Sequence, residues 1–437
     1  MLKTRIFMLL FSFNLDFYPC EFYNNYYKII WKVFLFFKRC TMINEKMLAL
    51  GSKRSVIREL FEYGKMRKAE IGEDNVFDFS LGNPSVEPPR AVTEELTRLL
   101  GEENPLSLHG YTSAQGDLFV RKKIADEINK KYGESISADL IYMTVGAAAA
   151  LTSTLHAIAQ SGEEVIALAP YFPEYRVFVE KTGASLVEVA CESRNFYPDI
   201  EKIKEAINER TAAIIVNSPN NPTGAVYPES VMRELCELLR KKEAEYGKAI
   251  YLIADEPYRE LVYDGLDVPY LTKLYDDTVV CYSYSKSLSL PGDRIGYALV
   301  CPRMNGADEV YRAICGAARS LGYVCAPSLL QKLIPGILGE VSDITIYDKN
   351  RKLLLEKLTQ YGFTVVCPSG AFYLFMKSPV ADAYEFSEVA KKFELILVPS
   401  DDFGVSSYVR ISYCVKTEQI ERSLPAFKKL AEHYKKN

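Results

Sequence analysis

The feature that most constrains this fold is a rhythm. Between about residues 90 and 325, short apolar runs alternate with amphipathic helical stretches. Strands are expected at 141–145, 164–169, 185–190, 213–217, 249–255, 278–283 and 296–301. The run Ala249-Ile250-Tyr251-Leu252-Ile253-Ala254 lacks polar alternation, the pattern of a strand covered on both faces. Strands of that kind, separated by helices, predict an α/β fold: a mostly parallel seven-stranded sheet with helices on either side. Beyond residue 330 the pattern changes to a helix at 349–361, short strands at 362–367, 371–376, 395–399 and 408–413, and a closing helix. This reads as a smaller α+β domain. The expected division is a large domain over 91–325, a small C-terminal domain over 326–437, and a segment 42–90 that packs on the small domain or bridges to it.

Residues 1–41 differ from the rest. They are dense in aromatics, such as Phe34, Phe36 and Phe37, and their apolar stretches are broken by Asp16, Glu21, Lys28 and Lys32. That interruption is too frequent for a membrane span of about 20 residues. Lys3 and Arg5 ahead of an apolar run mimic a signal peptide, but no small-residue cleavage site follows. We read this segment as a misassigned start, with Met42 or Met47 as the true beginning and a membrane anchor as the alternative.

Composition narrows the function classes. Hydrophobic residues make up 48% and charged residues 25%, with a net charge of -4, so no basic footprint for nucleic acid is present. The three histidines, His109, His156 and His433, lie far apart, which disfavours a histidine-based metal site or triad. The ten cysteines are dispersed without a Cys-x-x-Cys pair, and Cys281 and Cys301 sit in apolar runs. Reduced core thiols in a cytoplasmic protein are expected.

In a parallel sheet with helices on both faces, ligands sit beyond the carboxyl ends of the strands. The residues ending each run are therefore the candidates. The run at 278–283 leads into Ser283-Tyr284-Ser285-Lys286-Ser287, with Gly292-Asp293-Arg294-Ile295-Gly296-Tyr297 soon after. A primary amine forms a Schiff base with an aldehyde, and a guanidinium with hydroxyls holds a phosphate. One small molecule carrying both groups is pyridoxal 5'-phosphate. Gly146, followed by Ala147 and Ala148 at the start of a helix, lets a phosphate approach backbone N–H groups. The absence of Gly-x-Gly-x-x-Gly there argues against a dinucleotide fold. Asp255 closes the most apolar run, where a carboxylate is costly without a cation; a protonated pyridine nitrogen is a fitting partner. Tyr258, Asn221 in Asn217-Ser218-Pro219-Asn220-Asn221-Pro222-Thr223-Gly224, and Phe172 in Pro170-Tyr171-Phe172-Pro173 follow other strand ends. They offer, in turn, a hydroxyl, an amide and an aromatic face to a flat heterocycle. Taken singly, Phe172 reads equally as a core aromatic, and Tyr258 reads better as one. Arg410, inside the apolar run Tyr408-Val409-Arg410-Ile411-Ser412, needs an anion, either an internal carboxylate or a bound one.

With these motifs on hand, the chain resembles the class I/II aminotransferases of the fold type I pyridoxal-phosphate enzymes, from about residue 75 to 420. Ser283-x-Ser285-Lys286 with Gly292-x-Arg294-x-Gly296-Tyr297, Asn221-Pro222-Thr223-Gly224, and Asp255-x-x-Tyr258 carry the resemblance. It implies that 91–325 is the cofactor-binding domain and that Lys286 forms the Schiff base with the cofactor aldehyde. It further implies that Asp255 pairs with the pyridinium nitrogen and that Asn221 and Tyr258 bind the ring oxygen. Arg294, Ser283 and the backbone at Gly146, Ala147 and Ala148 would hold the phosphate, Phe172 would stack on the ring, and Arg410 would take the substrate α-carboxylate. Gly82 in Leu81-Gly82-Asn83-Pro84 matches a substrate-side glycine. Tyr111 matches a tyrosine lent to the phosphate of a partner, which implies a homodimer with shared sites. One departure is the phosphate turn, where Ala147 and Ala148 replace polar side chains and so remove side-chain bonds to phosphate.

The implied reaction moves an amino group from an L-amino acid to a 2-oxo acid, without a metal, nucleic acid or membrane partner. A dicarboxylate substrate needs a second cation, and Arg319 reads as a helix-surface arginine, so aspartate and 2-oxoglutarate stand as one pair within a broader class. The alternatives are a pyridoxal-phosphate β-lyase acting on carbon–sulfur bonds and a regulatory protein with an aminotransferase-like domain.

Overall fold

The computed structural model of the chain describes residues 43–52, 55–191 and 195–436. Residues 1–41, read above as a misassigned start, lie outside them. The chain falls into two compact units, Met1–Ser55 and Val56–Asn437. In the first, the described residues form the helix Glu45–Ser52, which has no buried residue.

The second unit is built around the expected seven-stranded sheet. Its strands are β1 (Ile141–Thr144), β2 (Glu164–Ala169), β3 (Ser185–Ala190), β4 (Thr211–Asn217), β5 (Tyr251–Asp255), β6 (Thr278–Ser283) and β7 (Gly296–Val300). The order across the sheet is β1-β7-β6-β5-β4-β2-β3. Only β7 runs antiparallel to its neighbours, β1 and β6. Burial on both faces shows in β4, where alternate residues enter different cores. Ile214 and Val216 pack with Leu235, Leu239 and Leu252, whereas Ala213 and Ile215 pack with Leu151, Leu155 and Ile253. Each such aliphatic side chain contributes about 1.5–3 kcal/mol on full burial. That gain, rather than intrinsic strand propensity, fixes the register. The edge strand β3 is the exception, with Ser185 and Glu188 exposed.

β1 and β7 end one residue before the expected limit, and two strands start elsewhere than expected. The run at 249–255 begins pairing only at Tyr251, because the Ile250 N–H is taken by Glu243 Oε1 at 2.9 Å. The run at 213–217 extends back to Thr211, whose N–H bonds the Asn208 carbonyl.

Helices cover both faces. Ala307–Leu321 shows why: Val310, Ile314, Ala317 and Ala318 recur at helical spacing and are buried, while Asp308, Glu309, Arg312 and Arg319 are exposed. Leu118–Tyr132 starts at Asp117, whose carboxylate accepts from Phe119 N and Val120 N, and stops at Gly133, which has φ +65°. Residues just past 325 enter the large-sheet core, among them Ala326, Leu333 and Ile337.

The smaller sheet is antiparallel, in the order β10-β11-β9-β8, with β8 (Val365–Val366), β9 (Tyr373–Lys377), β10 (Val398–Pro399) and β11 (Tyr408–Ser412). The single strand expected at 395–399 is divided. Leu395–Ile396 pairs in parallel with Phe77–Asp78, and only Val398–Pro399 joins β11. Pro399 has no N–H to donate, which suits the edge position of β10. The Phe77–Asp78 strand escaped the sequence reading because two residues carry no periodicity. Among the described residues no helix is long and apolar enough to cross a membrane.

Candidate active site

A cavity of about 190 Å3 opens where β1, β4, β5 and β6 end. Asp255 is the last residue of β5 and is 4% exposed. Its Oδ2 accepts from the Tyr175 hydroxyl, and Asn217 Nδ2 reaches the same oxygen at 3.4 Å and the Asp255 carbonyl at 2.9 Å. Its Oδ1 is buried without a partner. Burial pushes the carboxyl up to about 7, Glu256 adds to the rise, and the Tyr175 bond opposes it. A buried carboxylate with one free oxygen facing a cavity is built to meet a cation.

Asn217, at the end of β4, organises the next loop. Its Oδ1 accepts the Asn221 N–H at 2.8 Å, and Asn221 Oδ1 in turn accepts from Arg410 Nη1 at 3.0 Å. Arg410 lies mid-strand in β11 and is 2% exposed. Its Nη2 donates to the Ser80 carbonyl at 2.6 Å, while Nε is buried without a partner. The rings of Tyr373 and Phe403 lie 4.6 and 5.2 Å from the guanidinium. No carboxylate of the described residues is bonded to it, which removes the internal salt bridge as its explanation. Burial lowers its pKa.

Lys286 sits in the short helix Tyr284–Ser287, which Ser283 caps by accepting the Ser285 N–H at 3.1 Å. Lys286 Nζ donates to the Gly82 carbonyl at 2.7 Å and lies 5.6 Å from the Phe372 ring centre. Burial lowers the ammonium from 10.5 to about 8, with the Arg294 and Arg410 charges assisting and Cys414 opposing. About one amine in ten is then unprotonated at pH 7.

The anion-binding side is defined by a close approach. Gly146 has φ +87° and precedes the helix Ala147–Ile158. That φ favours glycine, and a β-carbon there would stand 2.9 Å from Arg294 Nη2 and push the guanidinium aside. Arg294 also donates to the Pro291 carbonyl at 3.0 Å. Its fork and the free N–H groups of the helix start make a cradle for an anion.

Of the residues chosen from sequence, Lys286, Asp255, Tyr258, Asn221, Phe172, Ala147, Ala148, Ser283 and Arg294 line this one cavity. Gly146 abuts Arg294, Gly82 holds Lys286, and Arg410 holds Asn221. Tyr111 is not among them: it is 98% exposed. Arg319 is exposed on its helix. Sequence reading missed Tyr175, Asn217, Phe372 and Tyr373. Asn217 ends a strand and was findable by that rule. Tyr175 and Tyr373 meet Asp255 and Tyr258 across 80 and 115 residues, for which the sequence holds no local signal.

Comparison with known proteins agrees with this geometry. The family model for aminotransferase class I and II matches residues 74–427. The chain is 32% identical to an aspartate/prephenate aminotransferase of Thermus thermophilus, over 79% of this chain and 88% of that protein. It is 30% identical to an aspartate aminotransferase of Thermotoga maritima, over 84% of this chain and 95% of the relative. An amino transferase structure from Eubacterium rectale superposes with a TM-score of 0.88 at 51% identity, covering 90% of this chain and 99% of that one. The strand-end constellation, the sheet order and these matches together place the chain in the aminotransferase class I and II family.

Proposed function

We propose that this protein is a pyridoxal 5'-phosphate-dependent aminotransferase that moves an amino group from an L-amino acid to a 2-oxo acid. The observation carrying the reading is one cavity bounded by the amine of Lys286, the unpartnered Oδ1 of Asp255 and the fork of Arg294 beside Gly146. These groups fit the cofactor. Asp255 Oδ1 is buried without a partner, as suits an oxygen that would meet a protonated ring nitrogen, and a β-carbon at Gly146 would crowd Arg294 in the cradle that suits a phosphate. Asn221 and Tyr258 would hold the ring oxygen and Phe172 one ring face. Ser283, Arg294 and the backbone of Gly146, Ala147 and Ala148 would hold the phosphate, joined by Tyr111 of the partner subunit in a homodimer. The exposure of Tyr111 supports that last role.

When bound, the cofactor supplies an aldehyde carbon that takes up the amino group and a ring that accepts the electron pair left at Cα. The chain's own residues do the rest. Arg410, its fork held by Asn221 and the Ser80 carbonyl, takes the substrate α-carboxylate. Gly82 lies on the substrate side, and its carbonyl accepts from Lys286 Nζ at 2.7 Å. Lys286 Nζ, easily deprotonated at a pKa of about 8, takes the proton from Cα and returns it two bonds away, at the carbon that the aldehyde supplied. Asp255, kept anionic by its cation partner, stabilises positive charge on the ring nitrogen throughout.

Aspartate and 2-oxoglutarate are the proposed substrate pair; the names of the Thermus and Thermotoga relatives support the aspartate half of it. The reading includes a cytoplasmic location and the division into 91–325 and 326–437, with 42–90 packing on the small domain or bridging to it, and with Ala326, Leu333 and Ile337, just past the boundary, packed in the large-sheet core. Purified protein should show a visible absorbance band, and borohydride should fix the cofactor onto Lys286. A panel of amino donors with 2-oxoglutarate then identifies the substrate. A colourless protein that takes up no added cofactor refutes the reading.

A further inference from the structure

We infer that Tyr373 is a positioning residue that serves both halves of the site, orienting the hydroxyl of Tyr258 and fixing the plane of Arg410. It rests on the functional reading above. Tyr373 opens β9 and lies opposite Ser412 of β11, with Phe375 opposite Arg410. Residues two apart share a face of the sheet, so Tyr373 is the diagonal neighbour of Arg410. Its ring accordingly lies 4.6 Å from the guanidinium, with Phe403 at 5.2 Å. The hydroxyl of the same side chain is 2.9 Å from the Tyr258 hydroxyl. It also packs on the Gly82 backbone so closely that a β-carbon there would stand 2.0 Å from it. Tyr373 is 3% exposed, so these contacts are made without competing water.

The consequence is a direction for the hydrogen bond. Tyr258 has one proton, and if it gives that proton to the cofactor ring oxygen, the proton between the two tyrosines must come from Tyr373. Donation from Tyr373 makes Tyr258 the stronger donor and favours the anionic form of the ring oxygen. The ring has a separate effect. Arg410 Nε has no hydrogen bond, so the aromatic face of Tyr373 is part of what keeps the fork planar to an arriving carboxylate.

Two substitutions in the holoenzyme separate these effects. Tyr373→Phe removes only the hydroxyl, and Tyr373→Leu removes the ring as well. The readouts are the pH midpoint of the visible cofactor band and the Kd of maleate, a dicarboxylate that cannot react. Tyr373→Phe should raise the midpoint by about half to one pH unit and leave maleate affinity within about twofold. Tyr373→Leu should show the same midpoint shift and weaken maleate by roughly three- to tenfold. Variants that match wild type in both readouts, or that only melt earlier, overturn the inference. A wild-type protein without a visible band or a borohydride adduct at Lys286 would instead refute the cofactor reading itself.

Discussion

Removing the hydroxyl of Tyr175 tests how this protein controls the charge on Asp255. Tyr175→Phe leaves Oδ2 with only the amide of Asn217 at 3.4 Å, while Oδ1 already has no partner. A hydrogen bond to a charged group contributes ~1.5–3 kcal/mol, and about 1.4 kcal/mol corresponds to one pKa unit. The Asp255 carboxyl, at about 7 in the apo protein, should therefore rise by about one to two units. Half of the sites are ionised at pH 7 in the parent, and roughly one in ten to one in a hundred in the variant. Pyridoxamine 5'-phosphate has a ring nitrogen but no aldehyde, so its binding to apo protein reports on Asp255 without Lys286 chemistry. Its affinity should fall roughly five- to fiftyfold at pH 7, and the ratio of parent to variant should shrink to about twofold by pH 9. Stability of the apo protein should move in step. A carboxyl raised from 3.8 to about 7 stabilises the fold below pH 4, and that contribution is lost as pH rises through 7. In the variant the loss still begins near pH 4 and runs on to a pH higher by the same one to two units, roughly. A ratio of affinities that stays flat from pH 6 to 9 would show that Tyr175 does not set this charge, and the reasoning fails.

Three further outcomes are expected. Lys286→Ala should retain cofactor binding but lose turnover by roughly three orders of magnitude or more, since the cavity lining holds no second lysine and no histidine; near-parent rates in a steady-state assay would contradict its role. Arg410→Lys should raise KM for amino acids roughly 10- to 100-fold with a smaller change in kcat, because an ammonium cannot reproduce the fork that bonds Asn221 and Ser80; an unchanged KM places the carboxylate elsewhere. Gly146→Ala forces a strained φ of +87° and displaces Arg294, so cofactor affinity measured by fluorescence titration should drop about tenfold or more; unaltered affinity would mean that the phosphate does not use this turn.

The sequence alone determined which residues lie at the ends of buried strands. Unbroken apolar runs such as 278–283 report burial on both faces, and burial dictates a covered, mostly parallel sheet. Because such a sheet has one functional edge, Lys286, Asp255, Asn221 and Gly146 were legible as neighbours before any coordinates. Side-chain type then supplied the chemistry: an amine, a carboxylate needing a cation, an amide and a glycine turn.

What periodicity does not carry is the identity of the partner. Nothing near Tyr175 indicates that its hydroxyl ends on Asp255, and nothing near Tyr373 indicates Tyr258, Arg410 and Gly82. The same holds for the division of 395–399 between two sheets and for the antiparallel insertion of β7 between β1 and β6. Strand order and long-range hydrogen bonds depend on how whole layers pack, and a side chain's own neighbours in sequence do not encode that. The chain's local pattern therefore determined where the candidate groups stand, and tertiary packing alone decided what surrounds them.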